Sequence, residues 1–300
     1  MSASKLGYFV DDFVSYFVSP LNARRMPPLI NKGYYTRVAA VRNLIDQFLH
    51  NGGQQIVSFG AGYDTNYWRL KKRSNPAFHK YYEVDFPHVV AHKAKIISKN
   101  NNLLQALVNP KFNGNGNISS SDYALVGLDM RETEKLETLL KSENIQPDLP
   151  TLFLSECVLI YMNPKDSASL IQWTSQYFTS SMFVIYEQIH PFDSFGQVML
   201  SNLEARGVPL ASIKTYPDIN AQKKRMMDLG YPTVEGLNMN EIFTHLLDQK
   251  ENQRVSRLEI FDEFEEWYLI QAHYCIILAI QEKQDKKLAS VTLEQSAPKK

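Results

Sequence analysis

Three hundred residues, 44% of them hydrophobic and 21% charged, are enough for one large α/β domain or two small ones with an ample core. Lys plus Arg equals Asp plus Glu at 32 each, so no net charge draws the chain toward nucleic acid or anionic lipid. Two cysteines, Cys157 and Cys275, both in apolar contexts, fit buried thiols in a reducing compartment better than a disulfide framework.

Near the start, Tyr8-Phe9-Val10 is apolar, but Asp11 and Asp12 interrupt it, so no signal-peptide h-region forms. The late apolar run Tyr274 to Ile280 is too short to cross a bilayer. These features lead us to expect a soluble, cytoplasmic protein. Val38, Val41, Leu44, Ile45, Phe48 and Leu49 recur at helical spacing, which predicts a helix over Arg37–Leu49 ended by Gly52-Gly53. Five strands are then predicted: Gln55–Gly60, Tyr81–Asp85, Ala124–Asp129, Thr151–Ser155 and Met182–Glu187. Helices predicted near Asp64–Lys72, Pro87–Asn100, Glu132–Lys141 and Pro164–Phe178 separate them, with Asn163 as the cap of the last. Alternating strands and helices imply a parallel sheet covered on both faces.

After the fifth strand, residues 190–253 read as mainly helical, with one helix over Asp218–Leu229. Ser256–Phe261 reads as a strand, Asp262–Gln271 as a helix and Ala272–Ile280 as a closing strand. The expected architecture is a single α/β domain with a seven-stranded Rossmann-like sheet, flanking helices and a helical insertion before the last two strands. Within it, residues 1–53 form an N-terminal helical region, 54–189 a cofactor-binding core, 190–253 a lid or substrate insertion and 254–280 the closing strands. Residues 281–300 are expected to be a disordered tail, and Asn113-Gly-Asn-Gly-Asn117 a flexible loop.

The most informative stretch is Ile56-Val-Ser-Phe-Gly-Ala-Gly-Tyr-Asp-Thr65. Its Gly60 and Gly62 permit a ligand to approach bare backbone where a strand turns into a helix. Asp85 follows Gly62 by 23 residues at the end of the next strand, the place from which an acid accepts both ribose hydroxyls of an adenosine. Asp129, at the third strand end, can accept from an adenine amino group with Met130 against the ring. Glu156 ends the fourth strand and enters an apolar loop. A cluster of acids suits a cationic ligand such as S-adenosylmethionine better than an anionic dinucleotide. Arg37 is placed in the first turn of its helix, where the dipole disfavours a cation and a ligand carboxylate would compensate. Other readings of these residues are a solvated surface arginine and ordinary strand-end acids. Tyr161 and Tyr186 are pocket candidates or core packing. His88 and His92 are four apart on a helix, without a third metal ligand, and read as a solvated face.

Gly60-Ala-Gly-Tyr-Asp-Thr65 followed by Trp68-Arg-Leu70 resembles the signature of a class I methyltransferase subgroup. With Asn31–Val38, Glu83–Pro87, Ser155–Met162, Tyr186–Gln188, Phe195–Gln197, Leu258–Glu263 and His273–Cys275, the chain resembles the leucine carboxyl methyltransferase family from about Gly7 to Ile280. That resemblance implies methyl esterification, with S-adenosyl-L-methionine, of the C-terminal leucine of the protein phosphatase 2A catalytic subunit, which regulates phosphatase assembly. It implies Arg37 on the methionine carboxylate, Gly60 against the cofactor, Asp85 on the ribose, Asp129 and Met130 around adenine, and Glu156 near the methionyl ammonium. Lys5 has no secure match to the lysine that the family carries in a longer N-terminal extension.

A peptide α-carboxylate is ionised at neutral pH, its reference pKa being about 3.3–3.7, so in-line attack on the methyl group needs no general base. No catalytic acid or base is therefore assigned, and no metal. A monomer without nucleic-acid or membrane partners is expected. The alternatives are an NAD-dependent oxidoreductase built on Gly60, Gly62 and Asp85, and a phosphatase-binding module that has lost methyl transfer. A relative that modifies wybutosine on transfer RNA carries a large additional repeat domain, for which this chain is expected to have no room.

Overall fold

In the computed structural model, residues 1–18, 24–73, 78–283 and 286–294 are described. Nine strands form one mixed sheet: β1 (Gln55–Phe59), β2 (Lys80–Asp85), β3 (Lys111–Phe112), β4 (Ile118–Ser119), β5 (Tyr123–Gly127), β6 (Thr151–Glu156), β7 (Ser180–Gln188), β8 (Thr233–Asn238) and β9 (Tyr274–Glu282). Their order is β3-β4-β5-β2-β1-β6-β7-β9-β8. The five inner strands β5, β2, β1, β6 and β7 run parallel, while β9 pairs antiparallel with both β7 and β8. All five residues of β1 are buried, as expected for a central strand covered on both faces.

Alternation along the strands divides the core in two. Ile56, Tyr81, Leu152, Leu154 and Val184 pack with Ala40, Val41, Leu44, Ile45 and Phe48 of the helix Pro28–His50. Val57, Phe59, Tyr82, Phe153 and Phe183 pack on the opposite face with Leu136 and Leu140 of Thr133–Ser142 and with Leu170 and Ile171 of Pro164–Tyr177. The chain leaves β1 toward β2 and β5, then returns to β6 on the other side. That reversal opens a crevice at the carboxyl ends of β1 and β6, the usual ligand position in such sheets.

Several expectations need correction. The sheet has nine strands rather than seven, because β3 and β4 form a small hairpin in the segment expected to be a loop. Its turn is ordered by the Asn113 side chain, which accepts from the N–H groups of Asn115 and Asn117. No strand spans Ser256–Phe261. The sixth core strand is β8, an edge strand paired among the described residues with β9 alone, and its Gly236 and half-exposed residues masked the period-two pattern. The helical region before the last two strands thus ends at Pro232, and a second helical stretch separates β8 from β9. The helix carrying Arg37 begins at Pro28, so Arg37 lies in its middle and the dipole argument does not apply. Asn163 stands at its expected cap position, but its side chain makes no capping bond.

The tail beyond Gln281 is not simply disordered. Glu282 still belongs to β9, and Leu288, Val291 and Leu293 are buried in the core that holds the long N-terminal helix. Gln47 donates to the Thr292 carbonyl and accepts its N–H, fixing the segment. Residues 284–285 and 295–300 lie outside the described residues. No helix among the described residues is long and apolar enough to cross a membrane.

Candidate active site

The crevice at the switch point consists of two adjoining clefts of about 280 and 350 Å³ that meet at Gly60. The first is walled by Arg37 and Val41 of the long helix, by Gly60, Ala61, Tyr63, Asp64 and Thr65 of the loop after β1, and by Glu156. The second is walled by Asp85, Asp129, Met130, Cys157, Val158 and Tyr161. Seven of the eight residues selected from the sequence therefore line the clefts. The eighth, Tyr186, is only 7% exposed and lies under the Arg37 guanidinium, 4.7 Å from its centre to the ring.

Arg37 and Glu156 form an ion pair, Nε to Oε2 at 2.6 Å. Burial opposes the charge of Arg37, but its acidic surroundings, with the Glu156 carboxylate first among them, outweigh it and hold the guanidinium above its ordinary range. Tyr186 stacks on Tyr274 at 5.3 Å, and its carbonyl accepts the N–H of Cys157 at 2.8 Å. Cys157 has φ +58°, the left-handed region, directly after Glu156. This strained residue turns the chain sharply out of β6 and across the cleft. Burial pushes its thiol up to about 12, so it is not a thiolate at neutral pH. Both cysteines are free, Cys157 half-buried and Cys275 fully buried.

Asp85 ties the glycine loop to β2. One carboxylate oxygen accepts the Gly62 N–H and the other the Phe86 N–H, each at 2.7 Å. Two backbone bonds leave lone pairs free toward the cleft. Gly60 has φ +61°, and a Cβ there would meet a Val158 methyl at 2.4 Å. The glycine is thus demanded by the protein's own post-β6 loop. Asp129 pairs with Arg131, whose Nε donates at 2.9 Å, and that bond lowers the Asp129 pKa. Met130 is 7% exposed and joins the second cleft to the core. Tyr161 is 41% exposed in the same cleft.

Sequence reasoning missed the supports of the glycine loop. Asp64 accepts from the N–H groups of Thr65 and Asn66 and from the Tyr81 hydroxyl, opening the helix Asn66–Lys71. Lys93, fully buried, donates to the Asp64 carbonyl at 2.9 Å and pairs with Glu83 at 2.5 Å. Tyr123 donates to the same Glu83 oxygen. The N-terminal segment was missed as well. Asp11 caps the N–H groups of Phe13 and Val14, accepts the Thr65 hydroxyl at 2.7 Å, and with Phe9 and Val14 lines the first cleft. The motif itself carried the signal, since Asp64 and Thr65 belong to Gly-Ala-Gly-Tyr-Asp-Thr. His92 meets the Tyr63 hydroxyl at 2.5 Å, and His88 stacks on Phe86.

A sheet in this order, with its last strand inserted antiparallel, is the class I methyltransferase fold. A putative methyltransferase from Thermobifida fusca shares it, with a TM-score of 0.56 at 15% identity over 86% of this chain and 84% of that one. In sequence, residues 6–175 match the profile of leucine carboxyl methyltransferase. The chain is 38% identical to the leucine carboxyl methyltransferase 1 homolog of Arabidopsis thaliana, over 94% of this chain and 86% of that protein. It is 35% identical to the leucine carboxyl methyltransferase 1 of Rattus norvegicus, over 97% and 89%. It is also 39% identical to tRNA wybutosine-synthesizing protein 4 of Homo sapiens, over 93% of this chain but 42% of that protein. The chain belongs to the leucine carboxyl methyltransferase family and is a methyltransferase enzyme.

Proposed function

We propose that the enzyme transfers a methyl group from S-adenosyl-L-methionine to the C-terminal leucine α-carboxylate of a protein, namely the protein phosphatase 2A catalytic subunit. The observation that supports this best is the arrangement of charge about Gly60. A cation and an acid, Arg37 and Glu156, stand on one side, while Asp85 and Met130 stand on the other. The first pair matches the zwitterionic end of an amino acid, and the second a ribose and an adenine ring. Asp85 keeps acceptor capacity beyond its two backbone bonds, and together the clefts have room for a nucleoside with an amino-acid tail. S-adenosyl-L-methionine would be held by Arg37, Gly60, Asp85, Asp129, Met130 and Glu156, and its sulfonium supplies an activated methyl group.

The protein's share of the work is positioning. Arg37 and Glu156 orient each other's charges, and Tyr186 fixes the guanidinium plane from below. The acceptor carboxylate is ionised at neutral pH, so no side chain has to remove a proton. Tyr161, open to the second cleft, is assigned to the acceptor pocket with Tyr186 behind it. Within the segment 190–253, the helical part before β8, residues 190–232, is assigned to the lid and docking surface, and 54–189 to the cofactor-binding core. We further assign a monomer working in the cytoplasm.

A second reading follows from the similarity to the wybutosine-synthesizing protein, which at 39% identity is slightly above the leucine carboxyl relatives at 38% and 35%. The balanced charge of the chain disfavours a transfer RNA substrate. Transfer of labelled methyl groups separates the two. Label should enter the intact phosphatase subunit, fail with a terminal-leucine deletion, and be absent from transfer RNA. Equal labelling of the deletion, or labelling of the RNA alone, would reject the proposal. The same assay separates an active enzyme from a module that binds the phosphatase without methylating it.

A further inference from the structure

Glu187 follows Tyr186 on β7 and lines neither cleft. Its side chain is fully buried. One oxygen accepts the backbone N–H of Ile160 at 2.7 Å, and the other accepts the Gln222 side-chain amide at 3.2 Å. Ile160 lies in the turn Leu159–Tyr161, which continues from Cys157 and Val158 in the wall of the second cleft. Gln222 lies in the helix Ile219–Asp228, outside both clefts. One turn on, Arg225 is 3% exposed and rests 4.1 Å from the Tyr216 ring centre. Its Nη1 donates to Gln222 at 3.3 Å, while Nε and Nη2 have no partner. Burial holds this sparsely bonded guanidinium below its ordinary range, and the Glu187 carboxylate gives the largest pull in the other direction. Ser212, ahead of that helix, holds the turn as well: its N–H donates to the Ile160 carbonyl at 3.1 Å, and its hydroxyl lies 3.2 Å from the Leu159 carbonyl.

We propose that Glu187 is a positioning residue for methyl transfer, whose carboxylate couples the helix Ile219–Asp228 to the turn Leu159–Tyr161 and so sets the wall of the second cleft. The proposal rests on that cleft holding the nucleoside of the cofactor. Ile160 and Gln222 both present donors to Glu187, so the ionised form satisfies both; protonation turns one oxygen into a donor facing an N–H. The groups around it are Arg225 and Gln222 from the helix, Cys275 from β9, and Cys157 and Tyr161 from the post-β6 loop. Burial raises the two thiols and the Tyr161 phenol, which stay neutral near pH 7, and Arg225 stays cationic. Burial also raises Glu187, to about 7, against the opposing pull of Arg225. Within this cluster, Glu187 is the group that changes charge near neutrality.

The test is calorimetric titration of the full chain with S-adenosylhomocysteine from about pH 6 to about pH 8. The parent should bind more weakly as pH falls below about 7, by at most about tenfold per pH unit. Glu187→Gln should bind about five- to tenfold more weakly than the parent at the upper pH and show a flat profile. Arg225→Met should weaken binding, and the double variant should lose no more than the weaker single variant, because the two act through one link. A merely structural Glu187 would lower the melting temperature without flattening the pH profile. Folded Glu187→Gln that binds like the parent at every pH would overturn the proposal. If Glu187→Gln does not fold, Gln222→Leu takes its place: weakened binding supports the link, and unchanged binding overturns it. A parent that binds no S-adenosylhomocysteine at any pH would instead overturn the cleft reading and this inference with it.

Discussion

Gly60 and Val158 approach so closely that a single added methyl group at residue 60 would lie 2.4 Å from a Val158 methyl. The two residues belong to the loops after β1 and β6, the adjacent strands whose ends frame the cleft. Gly60→Ala therefore faces both a positive φ and a clash. Together these should cost about 2–4 kcal/mol of stability and displace the Val158 loop. Val158→Ala in the same chain should restore part of the melting temperature by removing the clash, while the backbone strain remains. Equal melting temperatures for the single and double variants would show that the contact is not the cause.

Arg37→Ala leaves Glu156 half-buried beside Tyr186 without its cation. Loss of a charge-assisted contact to a ligand carboxylate is worth about 1.5–3 kcal/mol, so S-adenosylhomocysteine should bind about ten- to a hundredfold more weakly. Circular dichroism should stay native, because Arg37 sits mid-helix on the cleft side. Calorimetric affinity unchanged from the parent would remove Arg37 from the cofactor site.

Asp85 carries a structural load as well as its proposed one. Asp85→Ala would leave the N–H groups of Gly62 and Phe86 without their acceptors. That should cost about 2–4 kcal/mol in urea unfolding, in addition to lost ligand affinity. Asp85→Asn keeps one acceptor oxygen and should fall between the two. A fully stable Asp85→Ala would mean that water replaces both bonds.

The Glu83–Lys93 pair makes a prediction about stability and pH. Lys93→Met leaves a buried carboxylate unpaired and should cost about 3–5 kcal/mol. Adding Glu83→Gln should recover much of this. Burial raises the Glu83 carboxyl to about 7, against the pull of Lys93, so between its ordinary value and 7 the folded state binds more protons than the unfolded. The contribution of Glu83 is greatest at low pH, declines as pH rises toward 7, and levels off above it. Urea midpoints across this window should slope less in the double variant, with Glu187 accounting for a remaining slope.

Much of the fold was legible because its inner strands are buried on both faces and bounded by clear turns. The predictions for β1, β2, β5, β6 and β7 each overlap the observed strand. Where packing partners decide the structure, local pattern failed. β8 has weak strand character and is held by β9, which lies far along the chain. The segment after Glu282 reads as polar and charged, yet three isolated apolar side chains seat it on the long helix. The eight cleft and pocket candidates converge in space, since strand ends and the first loop define one edge of the sheet. The roles of Asp11, Lys93 and Val158 could not be read from sequence, because each depends on a neighbour distant along the chain.

The placement of β9 has a consequence for how the molecule is made. Its nine residues pair along the whole of β7 and also supply β8 with its one strand partner among the described residues. During synthesis from the N-terminus, β1 to β7 emerge and can pair while the outer edge of β7 stays bare. The nascent chain must then carry an open, apolar strand edge, together with an unpaired β8, until the closing strand leaves the ribosome. Such an edge invites association with other chains. Truncated or stalled products ending before Tyr274 should therefore be the species that depend most on chaperones, although they contain every residue proposed to hold the cofactor.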